Sequence, residues 1–215
     1  CSSDLAEKSL AVDESLSVAH SLLSEICIAE LLQHTANDSQ KTVEDILVHG
    51  RRAAELDSKN PRASDSISRH YFFSGNFDQA RQYAQRAVKL NPSYPEAHNS
   101  LGQAQVHSGK YAEAEPLFNK AIELNPLDTN AIIYKDGLFF THMGLGNFEI
   151  AYSLIQECVA QFSEAGFYKG FRASVMGYLN KGTEAKEALN EYLALRPKDR
   201  KSTRLNSSHQ IISYA

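Results

Sequence analysis

Cysteine is scarce in this sequence, and neither sign of charge dominates. Three cysteines, Cys1, Cys27 and Cys158, occur among 215 residues. They show neither C-x-x-C spacing nor an even-numbered framework, which argues against a disulfide scaffold and suits buried thiols in a reducing compartment. Lysine and arginine nowhere form a sustained block, and the formal net charge is -4. The electrostatic footprint expected of a nucleic-acid or anionic-membrane binder is therefore missing, and neither partner is expected. No leader and no bilayer-length apolar run is visible, so the expected location is cytoplasmic. With 42% hydrophobic and 22% charged residues, the composition is that of an ordinary folded chain of one elongated or two compact domains.

The two ends are read differently from the rest. Read back codon by codon, Asp199–Ala215 matches a common short-read sequencing adapter, and Cys1–Leu5 matches the same adapter in the opposite orientation. Both are expected to be artefacts and are set aside, together with His209 and the Asn206-Ser-Ser sequon. Without Asp4, Asp199, Arg200, Lys201 and Arg204 the balance is slightly more acidic. Residues 6–16 read as the end of a preceding repeat or a linker, and what remains is expected to be a fragment of a longer protein.

The dominant signal is an internal repeat. Pro61–Tyr94, PRASDSISRHYFFSGNFDQARQYAQRAVKLNPSY, aligns without a gap above Pro95–Asp128, PEAHNSLGQAQVHSGKYAEAEPLFNKAIELNPLD, at a period of 34 residues. Apolar positions recur at helical spacing, and Gly75 and Gly109 mark a central turn. Phe77 and Tyr111 follow two residues later, then Ala80 and Ala114. Each unit thus reads as helix, tight turn, helix. Gly102 and Ala114 would let the paired helices approach closely, with Leu101, Phe118, Ala121 and Leu124 filling the space between units. Pro92 and Pro126 stop the second helices. Pro116 is expected in the first turn of its helix, where a missing N–H costs little.

The template extends both ways with defects. Residues 132–165 restore Gly146, Phe148 and Ala151 after three extra residues, and residues 166–198 keep Ala173, Ala185, Leu189, Leu195 and Pro197 but carry Asn180-Lys181-Gly182 at the turn. Upstream, residues 17–60 form an over-long unit. Its expected helices are 17–34 and 42–56, the second capped by Thr42 with Asp45.

These units resemble the tetratricopeptide repeat family over Ser17–Lys198, and the two central units carry the resemblance most specifically. It implies an all-α fold, a right-handed α-solenoid of about five helical hairpins. GNFDQARQYAQRAVKLNP, FTHMGLGNFEIAYSLI and the closing LALRP also resemble repeat arrays attached C-terminally to bacterial signalling domains, such as nucleotide cyclases and winged-helix regulators. In this family the first helix of each unit lines a concave groove through its second, fifth, ninth, twelfth and thirteenth positions. Carried over, that lining is Arg62, Asp65, Arg69, Phe72 and Phe73, then Glu96, Asn99, Gln103, Val106 and His107. The next units would add Ile133, Asp136, Phe140 and Met143, then Phe167, Ser174 and Tyr178. Phe72 and Phe140 could equally be core packing between helices.

The resemblance implies a protein or peptide partner and no catalytic residues. The two-carboxylate clamp by which some members hold chaperone tails needs Lys and Asn, then Asn, then Lys and Arg. In the register starting at Pro61 those positions read Asp65, Arg69, Ser100, Ile133 and Gly137, and chaperone-tail binding is disfavoured. Gly144-Leu145-Gly146 lacks the third glycine and the preceding strand of a dinucleotide site. His20, His34, His49, His70, His98, His107 and His142 never pair at i, i+4, so no metal and no cofactor is expected. Cys27 and Cys158 lie on apolar helix faces with no assignable base. The expectation is a non-catalytic interaction scaffold. The alternative is a regulatory arm of a bacterial signalling enzyme or transcriptional regulator.

Overall fold

The computed structural model describes residues 16–32, 35–126, 131–161 and 166–195. Cys1–Leu5, the 6–16 junction up to residue 15, His34, Pro197 and the 199–215 tail lie outside these. The described residues form ten α-helices and no strand. They are α1 Ser17–Leu32, α2 Ser39–Leu56, α3 Pro61–Phe73, α4 Phe77–Leu90, α5 Pro95–His107, α6 Tyr111–Leu124, α7 Ala131–Leu145, α8 Phe148–Gln161, α9 Gly166–Tyr178 and α10 Gly182–Leu195. Among the described residues no helix is long and apolar enough to cross a membrane. The chain divides into two compact units with the boundary between Leu154 and Ile155.

In the first unit each helix from α1 to α7 neighbours the next in sequence, and the first helices of successive hairpins, α1, α3, α5 and α7, also neighbour one another. Helix starts are chemically specified. The side chain of Asn60 caps α3 by accepting from the Arg62 N–H at 3.0 Å, with Pro61 in the first turn where no donor is needed. Asn76 caps α4 by accepting from the Gln79 N–H. The close fit between helices comes from small residues: Ala63, Ala80, Ala84, Ala87, Ala97, Ala104, Ala114 and Ala121 are fully buried. On α1 two serines, Ser21 and Ser24, are buried beside Ala19, Leu23 and Ile28. Ser17 and Ser24 donate to the Ala53 and Ile46 carbonyls of α2, each at 2.9 Å, and Asn60 donates to the Ser17 and Ser21 hydroxyls. Each buried hydroxyl is thereby satisfied.

Four hairpin turns share one geometry. In each, an N–H reaches back to the carbonyl five residues earlier: Asn76 to Tyr71, Lys110 to Gln105, Asn147 to His142 and Lys181 to Met176. This is the helix-ending pattern that needs a left-handed residue just before it. Gly75, Gly109 and Gly146 supply it, and Asn180 does so at φ 58°. The Asn180-Lys181-Gly182 departure is therefore the same turn, with asparagine in the role of glycine.

Two local expectations are corrected. Helix α2 begins at Ser39, with Asp38 accepting from the Lys41 N–H. Thr42 is buried in the first turn and donates to the Asp38 carbonyl, so the cap is Asp38 rather than Thr42 with Asp45. Pro116 lies inside α6, in its second turn. Its ring and Ala112, whose carbonyl loses a helical donor there, both face water, which makes the proline tolerable.

In the second unit α9 pairs with α10. Tyr168, Phe171, Val175, Met176 and Ala188 are buried there, and Arg172 forms an ion pair with Glu191 at 2.8 Å.

Candidate functional site

Helix α3 carries Arg62, Asp65, Arg69 and Phe73, and α5 carries Glu96, Asn99, Gln103 and His107, at the same successive offsets of three, four and four residues. Such offsets set four side chains along one helical face. The two faces belong to neighbouring helices of the first unit.

Charge fills one end of this surface. Arg62 reaches across to Glu25 of α1, with Nη1 at 2.7 and 3.0 Å from the two carboxylate oxygens. Its guanidinium also lies over the ring of buried Tyr94, 5.7 Å from the centroid. Asp65 is 4% exposed and accepts from Arg69 Nε at 3.1 Å. Half-buried Glu96 completes the cluster. Burial raises its pKa, and the nearby Asp65 charge acts in the same direction against Arg69 and Arg62. The Tyr94 phenol is likewise pushed far up, by burial first and by Asp65, Glu25 and Glu96 next.

One turn further along, aromatic rings meet. Phe72 lies edge-on to Phe73, Phe77 and His107, and Phe77 stacks on His107 with centroids 4.8 Å apart. All four are half-buried. Burial lowers the His107 pKa, which keeps its ring uncharged and suited to stacking at neutral pH.

The remaining predicted residues are placed differently. Asn99 is 2% exposed, and its side-chain oxygen is sealed without a donor. Gln103 is half-buried on the same face of α5. Val106 is a core residue with Ala114, Phe118 and Leu138, and Phe140 packs against that cluster. Tyr178 is exposed on α9 and Phe167 is exposed at its start, both in the second unit. Two contributors escaped the sequence reading. Glu25 stands at the ninth position counted from Ser17, but the over-long unit hides that register. Tyr94 sits in the junction before α5, outside any first-helix pattern.

Among the described residues no group of three or more His, Cys, Asp or Glu could hold a metal ion. His20 and His49, far apart in sequence, do meet across α1 and α2, with their Nδ1 atoms 3.1 Å apart. The Cys27 thiol is pushed up to about 11, by burial first and by Glu30 and Asp45 next, so it stays protonated rather than nucleophilic.

Comparison with known proteins agrees with the helical-hairpin fold. Residues 67–129 match the family model for the tetratricopeptide repeat. Over that stretch the helical hairpins match the tetratricopeptide repeat. Solved structures extend the fold over most of the chain. A tetratricopeptide repeat protein from Parabacteroides merdae is similar over 91% of this chain and 72% of its own, at 15% identity and TM-score 0.61. The thermophilic TTC0263 of Thermus thermophilus covers 82% of this chain and 93% of its own, at 16% identity and TM-score 0.64. YrrB, a repeat protein described as having an unusual peptide-binding site, covers 90% and 93%, at 16% identity and TM-score 0.58. At such identities the likeness is one of fold. No curated protein sequence matches.

The predicted lining divides by depth. Asp65, Asn99 and Val106 are buried, whereas Arg62, Phe73, Glu96, Gln103 and His107 are at least partly open to solvent.

Proposed function

We propose that this chain is a non-catalytic scaffold that holds a protein or peptide partner on the α3–α5 face of its first unit. The observation that carries this reading is the repeated three-four-four spacing on two neighbouring helices. It presents a charged end, a central amide and an aromatic end in one surface. An extended or helical peptide with apolar anchors is the chemistry that suits such a surface. The tetratricopeptide fold is a general scaffold for protein interactions, and the peptide-binding site described for YrrB supports the same reading.

Phe73→Ala combined with Gln103→Lys tests it, because both positions are half-buried on the face and neither is in the deep core. Peptides selected on the full chain from a random phage-displayed library should lose roughly tenfold or more in affinity for this variant. Circular dichroism and the melting temperature should stay unchanged. Undiminished binding by a folded double variant would overturn the assignment.

A further inference from the structure

The charge on this face is already partly committed, and what is left over has one sign. Arg62 is paired with Glu25 and Arg69 with Asp65. Glu96 and Asp136 carry no ion pair among the described residues. Glu96 is half-buried near the start of α5. Asp136 is half-buried on α7, the first helix of the following hairpin, with one carboxylate oxygen sealed and without a donor.

The hydrogen-bonding inventory leans the same way. Asp65, Asn99 and Asp136 occupy equivalent places on α3, α5 and α7, and each keeps one buried side-chain oxygen with no donor. Polar atoms in protein interiors are almost always satisfied, so three unfilled acceptors at one register are a shared deficit of donors. Asn99 is the sharpest case, because it is 2% exposed and no hydrogen bond to its side chain is present among the described residues.

We infer that the partner is a cationic peptide segment, which brings a lysine or arginine side chain between α5 and α7 against Glu96 and Asp136. This deepens the proposed groove reading and rests on it. An acidic or phosphorylated segment would meet two carboxylates without ion pairs, whereas a lysine or arginine head supplies the missing charge. Flanking apolar residues would reach the rings of Phe73 and His107 on one side and Phe140 on the other. The raised pKa values of Glu96 and Asp136 accord with this, since each is an acid waiting for a cation.

The test compares the unsubstituted chain with the Glu96→Gln/Asp136→Asn variant, which keeps side-chain shape and removes only charge. Phage-displayed random peptides are selected on each. Native selections should be rich in lysine or arginine beside apolar residues. Synthetic copies of those peptides should bind the charge variant about tenfold more weakly and with less salt dependence. Replacing the basic residue of the peptide by norleucine should weaken native binding by a similar factor and leave binding to the variant unaffected. Peptides that lack basic residues, yet are lost on Phe73→Ala with Gln103→Lys, would overturn the cationic assignment while leaving the groove standing. Peptides insensitive to both variants would overturn the groove as well.

Discussion

The ring of Phe118 lies so close over Gly137 that a Cβ at Gly137 would overlap it. A Cβ at Gly102 would stand 2.8 Å from the same ring. Phe118 is fully buried, held on α6 between the glycines of α5 and α7. Phe118→Ala should cost roughly 3–5 kcal/mol as a buried aromatic truncation. Gly137→Ala should cost about 1–3 kcal/mol by overpacking, although alanine is the better helix former. The two should be strongly non-additive, because with the ring gone the added methyl partly fills the space. Urea denaturation of both single variants and the double variant completes the cycle. Simple additivity would mean that ring and backbone are not in contact.

Arg69 belongs to the predicted lining, and its burial changes what its mutation measures. Its side chain is 17% exposed and bonded to Asp65, which is 5% exposed. Arg69→Ala would strand the Asp65 carboxylate, so it should destabilise the fold by about 3–5 kcal/mol. Arg69→Met with Asp65→Leu removes both charges and should recover most of that loss. Melting temperatures decide between the two roles. A stable, folded Arg69→Ala chain would show that the ion pair is dispensable and return Arg69 to the binding surface.

How much of this was legible follows from what each feature depends on. The central hairpins are local: glycine at a left-handed turn, proline at a helix start and alanine at contact positions each act within a few residues, so 61–94 and 95–128 could be read directly. The first unit was harder, because α1 buries Ser24, which donates to a carbonyl of α2, and Ser21, which accepts from Asn60, and a hydrophobic pattern registers neither. Asn180 hid its turn by having a side chain where glycine is the usual sign. At the site, the positions were readable but the depths were not. Val106 and His107 are adjacent in sequence, yet one is core and the other meets solvent, because depth depends on the crossing of neighbouring helices. Ion pairs such as Arg62 with Glu25 depend on which helices neighbour one another, and the 44-residue span from Ser17 to Asn60 obscured that register.

Two half-buried titrating groups should bend the stability profile in opposite directions. Burial lifts the Asp136 carboxyl from 3.8 to about 7. Between about pH 4 and 7 the folded chain holds a proton that the unfolded chain has released. Unfolding then sheds a proton, so stability falls as pH rises, by at most about 1.4 kcal/mol per pH unit, and the fall ends above pH 7. His49 has the reverse sign. Burial first, and the adjacent His20 second, hold its pKa below 6.5. Below that pH the unfolded chain takes up a proton that the folded chain refuses, so this contribution rises with pH and is complete above 6.5. Asp136→Asn should therefore remove the falling component, leave a profile that rises toward neutrality and make the chain more stable at pH 8. His49→Gln should leave the fall and remove the rise. Urea midpoints from pH 5 to 8 separate the two. An Asp136→Asn chain that keeps the native decline would show that this carboxyl is not buried in the folded molecule, and the donor-poor pocket assigned to it would have to be given up.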